Sequence, residues 1–227
     1  MHRTRTGFVE ERTATYNRLR GLISEVGIVC PQKIANLRRA LIDHLEDLPG
    51  YMNRCVGDLL AHADSLDARI AEYDRIIREA AREDARSRRL MELPGIGPNT
   101  ASALLASIGA GHDFQNGRQV AAWIGLTPGQ YSSGGVARLG RITKAGDAYL
   151  RSLLVLGARA VLASAKNKAD PISRWAMSLQ ERRGYWRAVV AMAAKNARLA
   201  WAVLRKGEGF TPPGAPNGAP NGAPSPA

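Results

Sequence analysis

The sequence predicts an almost wholly α-helical protein, and three observations carry that expectation. An apolar seam runs through residues 52–90 at spacings of three and four. Two shorter helical stretches precede it. A strongly one-sided helix, Ala188–Leu204, closes the motif-bearing part of the chain.

Taken in order, Glu10–Val26 carries Tyr16, Leu19, Leu22 and Ile23 at helical spacing, and Ile34–Leu45 carries Leu37, Leu41 and Leu45. Ile28-Val29-Cys30-Pro31 separates the two, and Pro49-Gly50 marks a break. In the next zone Val56, Leu59, Ala63, Leu66, Ile70, Tyr73, Ile77 and Ala80 line one side of a long helix, with Asp, Glu and Arg between them. Such a seam must be covered. It either folds back on the first zone as a helical hairpin or pairs with another subunit. Ala63 and Tyr73 make it weaker than an ideal zipper. Residues 1–90 therefore read as a helical hairpin or coiled coil, with the 52–80 helix as the surface for a homo-oligomer.

Residues 91–207 read as a compact helical domain, interrupted by a Gly-rich stretch from Gly125 to Gly146. Its last helix puts Val189, Met192, Ala193, Ala197, Ala200, Trp201 and Leu204 on one side. Residues 208–227 end in GAPNGAPNGAPSPA, which has no means of burying a core and is expected to be disordered.

Composition narrows the class. With 45% hydrophobic and 23% charged residues, the chain is globular. It has no apolar run of membrane-spanning length, and MHRTRTGFVEER lacks an apolar signal core, so the cytoplasm is the expected compartment. Cys30 and Cys55 show no metal-ligand spacing, nor do His44, His62 and His112. The net charge is +12, and its location matters more than its size. Between Arg118 and Lys206 there are 16 Lys/Arg against 3 Asp/Glu; the rest of the chain has 16 against 17. A domain-sized positive block attracts a polyanion through counterion release. The plain alternative is a solubilising surface.

Leu93-Pro94-Gly95-Ile96-Gly97-Pro98-Asn99-Thr100 is the most informative stretch. A helix ends near Leu90, two glycines permit backbone angles closed to other residues, and a new helix starts at about Pro98 or Asn99. Amides at that helix start can hold a phosphate oxygen. Gly95, Ile96, Gly97, Asn99 and Thr100 are the candidate DNA-binding positions. The stretch resembles the helix-hairpin-helix motif, which grips backbone without reading sequence. An ordinary tight helix–helix turn is the competing reading. Helix-hairpin-helix glycosylases continue with a catalytic Asp in a VDTHV-like setting. Asp113 sits instead in GHDFQN, so a glycosylase is rejected.

A second block runs AWIGLTPGQYSSGG and continues RLGRITKAGDAYLR, from Ala122 to Arg151. It sets Ser132 and Ser133 on a glycine-rich loop, followed by Arg138, Arg141, Lys144 and Arg151. A serine hydroxyl needs activation to attack, and nearby cations can stabilise a phosphoryl transition state. Taken alone, the block is a phosphate-binding loop. Among the tryptophans, Trp123 and Trp201 are expected in the core, whereas Trp186, within Arg182-Arg183-Gly184-Tyr185-Trp186-Arg187, suits either packing or stacking on an unpaired base.

Four blocks together resemble the C-terminal part of insertion-sequence transposases of the one-ten/one-sixteen type, a group related to the Piv and MooV DNA invertases. They are Arg12–Gln32, LPGIGPNTA, the serine block and MAAKNARLAWAVLRKGEGF, in that order. The resemblance spans about Arg3 to Phe210. It implies a transposase domain whose serine is the nucleophile, forming a covalent phosphoserine intermediate. The implied nucleophile is Ser132, with Ser133 kept alongside. Arg138, Arg141 and Lys144 match basic positions expected on phosphates. It also implies DNA as partner, a structured guide RNA, and dimers or tetramers. Full-length relatives carry an N-terminal RuvC-like domain whose four acidic residues bind magnesium. On this resemblance the chain is expected to start where that domain should have ended, and so to be without it. Asp43, Glu46 and Asp47 read as solvated, so no cofactor is expected in this chain. The chain is expected to be inactive alone: a truncated transposase, a misplaced start or a deliberate fragment. The alternatives are a non-catalytic nucleic-acid-binding and oligomerisation module, inhibitory through mixed assembly, and a structural adaptor.

Overall fold

A computed structural model describes residues 1–44, 48–131 and 138–211. Leu45, Glu46, Asp47, Ser132, Ser133 and the Pro/Gly/Ala tail lie outside the described residues. The protein is mostly α-helical, with one two-stranded sheet among the described residues. It divides into two compact units, Met1–Arg78 and Glu79–Ala227.

The first unit is a helical hairpin. Helix α1 (His2–Glu25) and α2 (Ile34–Asp43) pack on the first part of α3 (Gly50–Glu83). Val56, Ala63, Leu66 and Ile70, all at seam positions, are buried. Tyr16, Leu19, Ile23, Leu37 and Leu41 form the cluster that meets Val56 and Ala63. The chain's own first zone therefore covers this seam. The polar start of helix α1 is pinned antiparallel to α3. Arg5 holds Asp74 in a two-pronged ion pair at 2.6 and 3.0 Å, and Arg12 holds Asp67 at 2.8 Å. Tyr16 is 1% exposed. Its hydroxyl donates to Asp67 at 3.2 Å and accepts from Arg38 Nε at 3.0 Å. Burial pushes the Tyr16 phenol up, against the pull of Arg38.

The second unit packs α4 (Ala85–Met91), α5 (Pro98–Ile108), α6 (Gly117–Trp123), α7 (Ala148–Ala165), α8 (Pro171–Arg183) and α9 (Tyr185–Lys206) around one core. Helix α7 is apolar and long enough to span a bilayer by composition alone. Here Leu150, Leu154, Ala158 and Leu162 bury its stripe in that core. The described parts of the Gly-rich interruption hold two short strands. Strand β1 (Pro128–Gln130) pairs antiparallel with β2 (Leu139–Ile142). Pro128 faces Ile142 and Gln130 faces Leu139, so two steps on β1 span three on β2, a bulge.

Three helices of this unit start on acids. Asp84 caps α4, Asp147 caps α7 and Asp170 caps α8, each accepting from first-turn amides. The Arg86 guanidinium, followed by the amides of Arg86 and Ser87, holds the Asp84 carboxyl at about 2. A carboxyl depressed on folding stabilises above its ordinary range, and that contribution is lost as pH falls toward its folded value. Asp84→Ala is expected to cost about 1 kcal/mol at neutral pH, the usual worth of a cap. The difference from the native chain should shrink as pH falls from about 4 to 2. Urea midpoints across that range check it, and a difference that stays constant would refute the assignment.

Candidate nucleic-acid interface

Two glycine-dependent features of the second unit position the sequence-predicted site residues. The first is the turn between α4 and α5. Gly95 has φ +80°, and a Cβ there would stand 2.5 Å from the Gly157 carbonyl oxygen and 2.8 Å from Val161 Cγ2. A Cβ on Gly157 would sit against the Gly95 carbonyl oxygen, closer than real Cβ atoms come. The turn therefore lies backbone to backbone on α7. Asn196, fully buried in α9, donates Nδ2–H to the Pro94 carbonyl at 2.8 Å. Leu93 and Ile96 plug the core at 1% and 4% exposure.

Most of the turn thus faces inward. Gly95 is half-buried on α7, and Ile96 and Thr100 are buried. Gly97 is exposed with open space where a side chain would be, and Pro98 and Asn99 are half-buried. Helix α5 starts at Gly97 without a side-chain cap. Of the five turn positions singled out in the sequence, Gly97 and Asn99 lie on the accessible side.

The second feature is the β1–β2 hairpin, whose root is equally tight. Gly125 (φ +78°) lies against the Ala145 backbone and Gly146 (φ +77°) against the Trp123 carbonyl, and neither leaves room for a Cβ. Lys144 N–H donates to Gly125 O at 3.1 Å, and Thr143 N–H to Thr127 O at 2.9 Å. At the far end Tyr131 N–H donates to Arg138 O at 2.9 Å. The segment holding Ser132 and Ser133 connects these two residues. The ring of Tyr131 lies on Gly140, where a Cβ would meet it at 2.9 Å. Tyr131 and Leu139 are 75% and 68% exposed.

Arg138, Arg141 and Lys144 are exposed along this hairpin and its root. Arg151 differs. From α7 its Nη1 donates to Ile124 O at 2.9 Å and Ala145 O at 3.1 Å. It clamps the two ends of the hairpin together. Sequence reasoning grouped it with the cations expected to face phosphates because a contact to two carbonyls leaves no mark on spacing. Asn196 and Gly157 were not singled out at all. The available signal was a polar residue and a glycine, each inside an otherwise apolar helix face.

The positive block has little to offset it. Two of its three acids, Asp147 and Asp170, are occupied as helix caps. Hydrogen bonds from Ser173 and Ile172 hold the Asp170 carboxyl below the usual range. Among the described residues, no Lys or Arg from 118 to 206 forms an ion pair with a carboxylate.

The magnesium implied by the resemblance would need clustered carboxylates. Among the described residues no three His, Cys, Asp or Glu come together to hold a metal ion. Those residues do not fit such a group; Asp43 is exposed. The tryptophans divide differently from expectation. Trp201 is half-buried, its indole N–H donating to Gly111 O at 3.0 Å. Trp123, the last residue of α6, is 40% exposed and meets Phe114 edge to face at 5.6 Å.

Comparison with known proteins gives the same region a lineage. Residues 87–172 match the model described as "Transposase IS116/IS110/IS902 family". That span runs from inside α4 through both glycine-dependent features to the start of α8. Over 217 residues the chain is 43% identical to a probable family 20 transposase of Pseudomonas aeruginosa, covering 93% of this chain and 64% of the relative. It is 38% identical to the transposase for insertion sequence element IS1111A of Coxiella burnetii, covering 91% and 58%. A pilin gene-inverting protein of Moraxella bovis is 28% identical over 169 residues, covering 73% and 51%. The chain spans about three-fifths of the length of the first two.

Proposed function

We propose, from the premise that this chain belongs through residues 87–172 to the IS116/IS110/IS902 transposase family, that it holds DNA on the β1–β2 hairpin and supplies the serine of a strand-exchange site. The observation that carries this reading is the hairpin itself. Arg138, Arg141 and Lys144 are exposed on a rigidly rooted two-stranded element, in a segment whose acids are scarce and largely occupied. A two-stranded ribbon is slim enough to enter a DNA groove. Its cations would hold phosphates while the neighbouring Ser132 attacks, with Ser133 the second choice.

The step conserves the number of phosphoester bonds. The serine Oγ loses its proton and bonds to phosphorus. The bond from phosphorus to a deoxyribose oxygen breaks, and that oxygen leaves with a proton. A second deoxyribose hydroxyl then attacks the phosphoserine and returns Oγ to the protonated serine. Positive charge at the hairpin would stabilise the developing negative charge on the phosphoryl oxygens. The α4–α5 turn adds a backbone grip at Gly97 and Asn99. A guide RNA and self-association belong to the same proposal. Self-association through the long helix would use the outward side of α3, because α1 and α2 occupy its seam over residues 56–70.

The test supplies the implied RuvC-like domain in trans and traps protein on a nicked DNA substrate under denaturing conditions. The native chain should give a covalent adduct, and the Ser132→Ala, Ser133→Ala double variant none. The single variants should separate, with Ser132→Ala losing the adduct and Ser133→Ala keeping it. An adduct that survives in the double variant would remove the serine assignment. Unaltered DNA binding with no adduct in any protein would favour the non-catalytic module.

A further inference from the structure

At the junction of α8 and α9 an aromatic pair stands out from the surface. Trp186 is 64% exposed and Tyr185 37%. Their rings meet edge to face with centroids 5.2 Å apart, which holds the indole upright without covering it. From α7, Arg159 lies over the Trp186 ring at 5.7 Å. Leu156, one turn before Arg159 on the same helix, is 56% exposed. Exposing so large an indole is unfavourable in water, and burying it would have cost the fold nothing in polar groups beyond one N–H. Trp201 in the same unit finds that partner and is half-buried.

The charge around the pair is one-sided. Helices α7, α8 and α9 together carry ten Lys/Arg and a single acid, Glu181. Arg182, Arg183 and Arg187 flank the pair in sequence. Glu181, three residues before Gly184, is the carboxylate to be weighed against them. A protein partner for an exposed indole would be met by apolar surroundings. Here the group over the ring is the Arg159 guanidinium, with three more arginines adjacent in sequence, and guanidinium groups suit phosphates and planar bases.

We propose that Trp186 and Tyr185, with Arg159 and the flanking arginines, form a stacking site for an unpaired base of single-stranded DNA. The indole face takes the base and the guanidinium groups take the phosphates on either side. No residue of the β1–β2 hairpin contributes, so the site stands or falls independently of the serine proposal. Such a site would hold a strand displaced from its duplex, the species that any exchange of strands creates.

The experiment measures binding of the full chain to a fluorescein-labelled oligo-dT of about twelve nucleotides and to a mixed-sequence duplex. Trp186→Ala should weaken oligo-dT binding roughly five- to 150-fold, the range for loss of one stacked base. It should leave duplex affinity and the melting temperature unchanged, since the ring is mostly exposed. Trp186→Phe should recover most of the loss. An iododeoxyuridine oligonucleotide should photo-crosslink to the peptide holding Tyr185 and Trp186. Equal oligo-dT affinity in Trp186→Ala, an equal loss on duplex, or crosslinks that map elsewhere would overturn the proposal. A lowered melting temperature with no rescue by Trp186→Phe would assign the ring to packing. Oligo-rU bound tenfold more tightly than oligo-dT would replace DNA with RNA as the ligand. Alanine variants of Arg138, Arg141 and Lys144, run beside it, test the hairpin alone.

Discussion

Replacing Gly157 with alanine is expected to destabilise the second unit by several kcal/mol, although the substitution puts a better helix former into α7. In an ordinary helix interior the exchange gains about 1 kcal/mol. Here the added methyl would occupy space held by the Gly95 carbonyl. Either α7 or the α4–α5 turn must retreat. A retreat strains the Asn196 bond to Pro94 and loosens Leu93 and Ile96 from the core. Overpacking of this kind costs roughly 1–3 kcal/mol, and the part-buried Pro94 carbonyl stripped of its donor up to about 1–3 more. The control is Gly21→Ala in α1, where a Cβ meets nothing and helix propensity alone acts. Urea unfolding should show the two variants moving in opposite directions. A Gly157→Ala protein as stable as the native chain would disprove the backbone contact.

The second expected result concerns binding. Arg138→Gln, Arg141→Gln and Lys144→Gln combined should weaken duplex binding roughly 100- to 1000-fold at about 0.1 M salt, if each cation neutralises one phosphate. The slope of log affinity against log salt should fall by roughly 2 to 3. Both numbers matter. A general loss of fold would lower affinity without a defined change of slope. Arg151→Gln provides the contrast. Because that guanidinium holds Ile124 O and Ala145 O, its loss should lower stability and loosen the hairpin root. A triple variant with unchanged slope would take the hairpin away from the phosphates.

Much of the fold was legible because it is written in local periodicity. Val56, Ala63, Leu66 and Ile70 of the seam, and Val189, Met192, Ala193, Ala197, Ala200 and Leu204 of the stripe, sit buried where the spacing put them. Periodicity could not say what covers the seam, since folding back and pairing with a copy require the same apolar side. It also missed the β1–β2 pair. Those strands are three and four residues long and rich in glycine, so they carry no alternation, and their pairing depends on contacts made at Gly125 and Gly146. At the candidate interface, residue type gave the cations but not their allegiance. Arg138, Arg141 and Lys144 face water, while Arg151, seven residues on, faces two carbonyls. Gly95 and Gly97 look equivalent in sequence. One is a packing surface and the other is open, a difference set by α7, which lies about sixty residues downstream.

Lys144 closes the hairpin root with φ +55°, the one non-glycine residue at positive φ among the described residues. Its neighbours Gly125 and Gly146 meet the same demand without a side chain. A lysine there raises the backbone energy by roughly 1 kcal/mol relative to glycine. Selection for stability alone would replace it. Lys144→Gly should therefore give a protein that melts higher and binds duplex DNA less tightly. That opposed pair of changes would mark the position as one where the demands of folding and of the ligand diverge, and where a thermostabilised version of this protein would first lose its purpose.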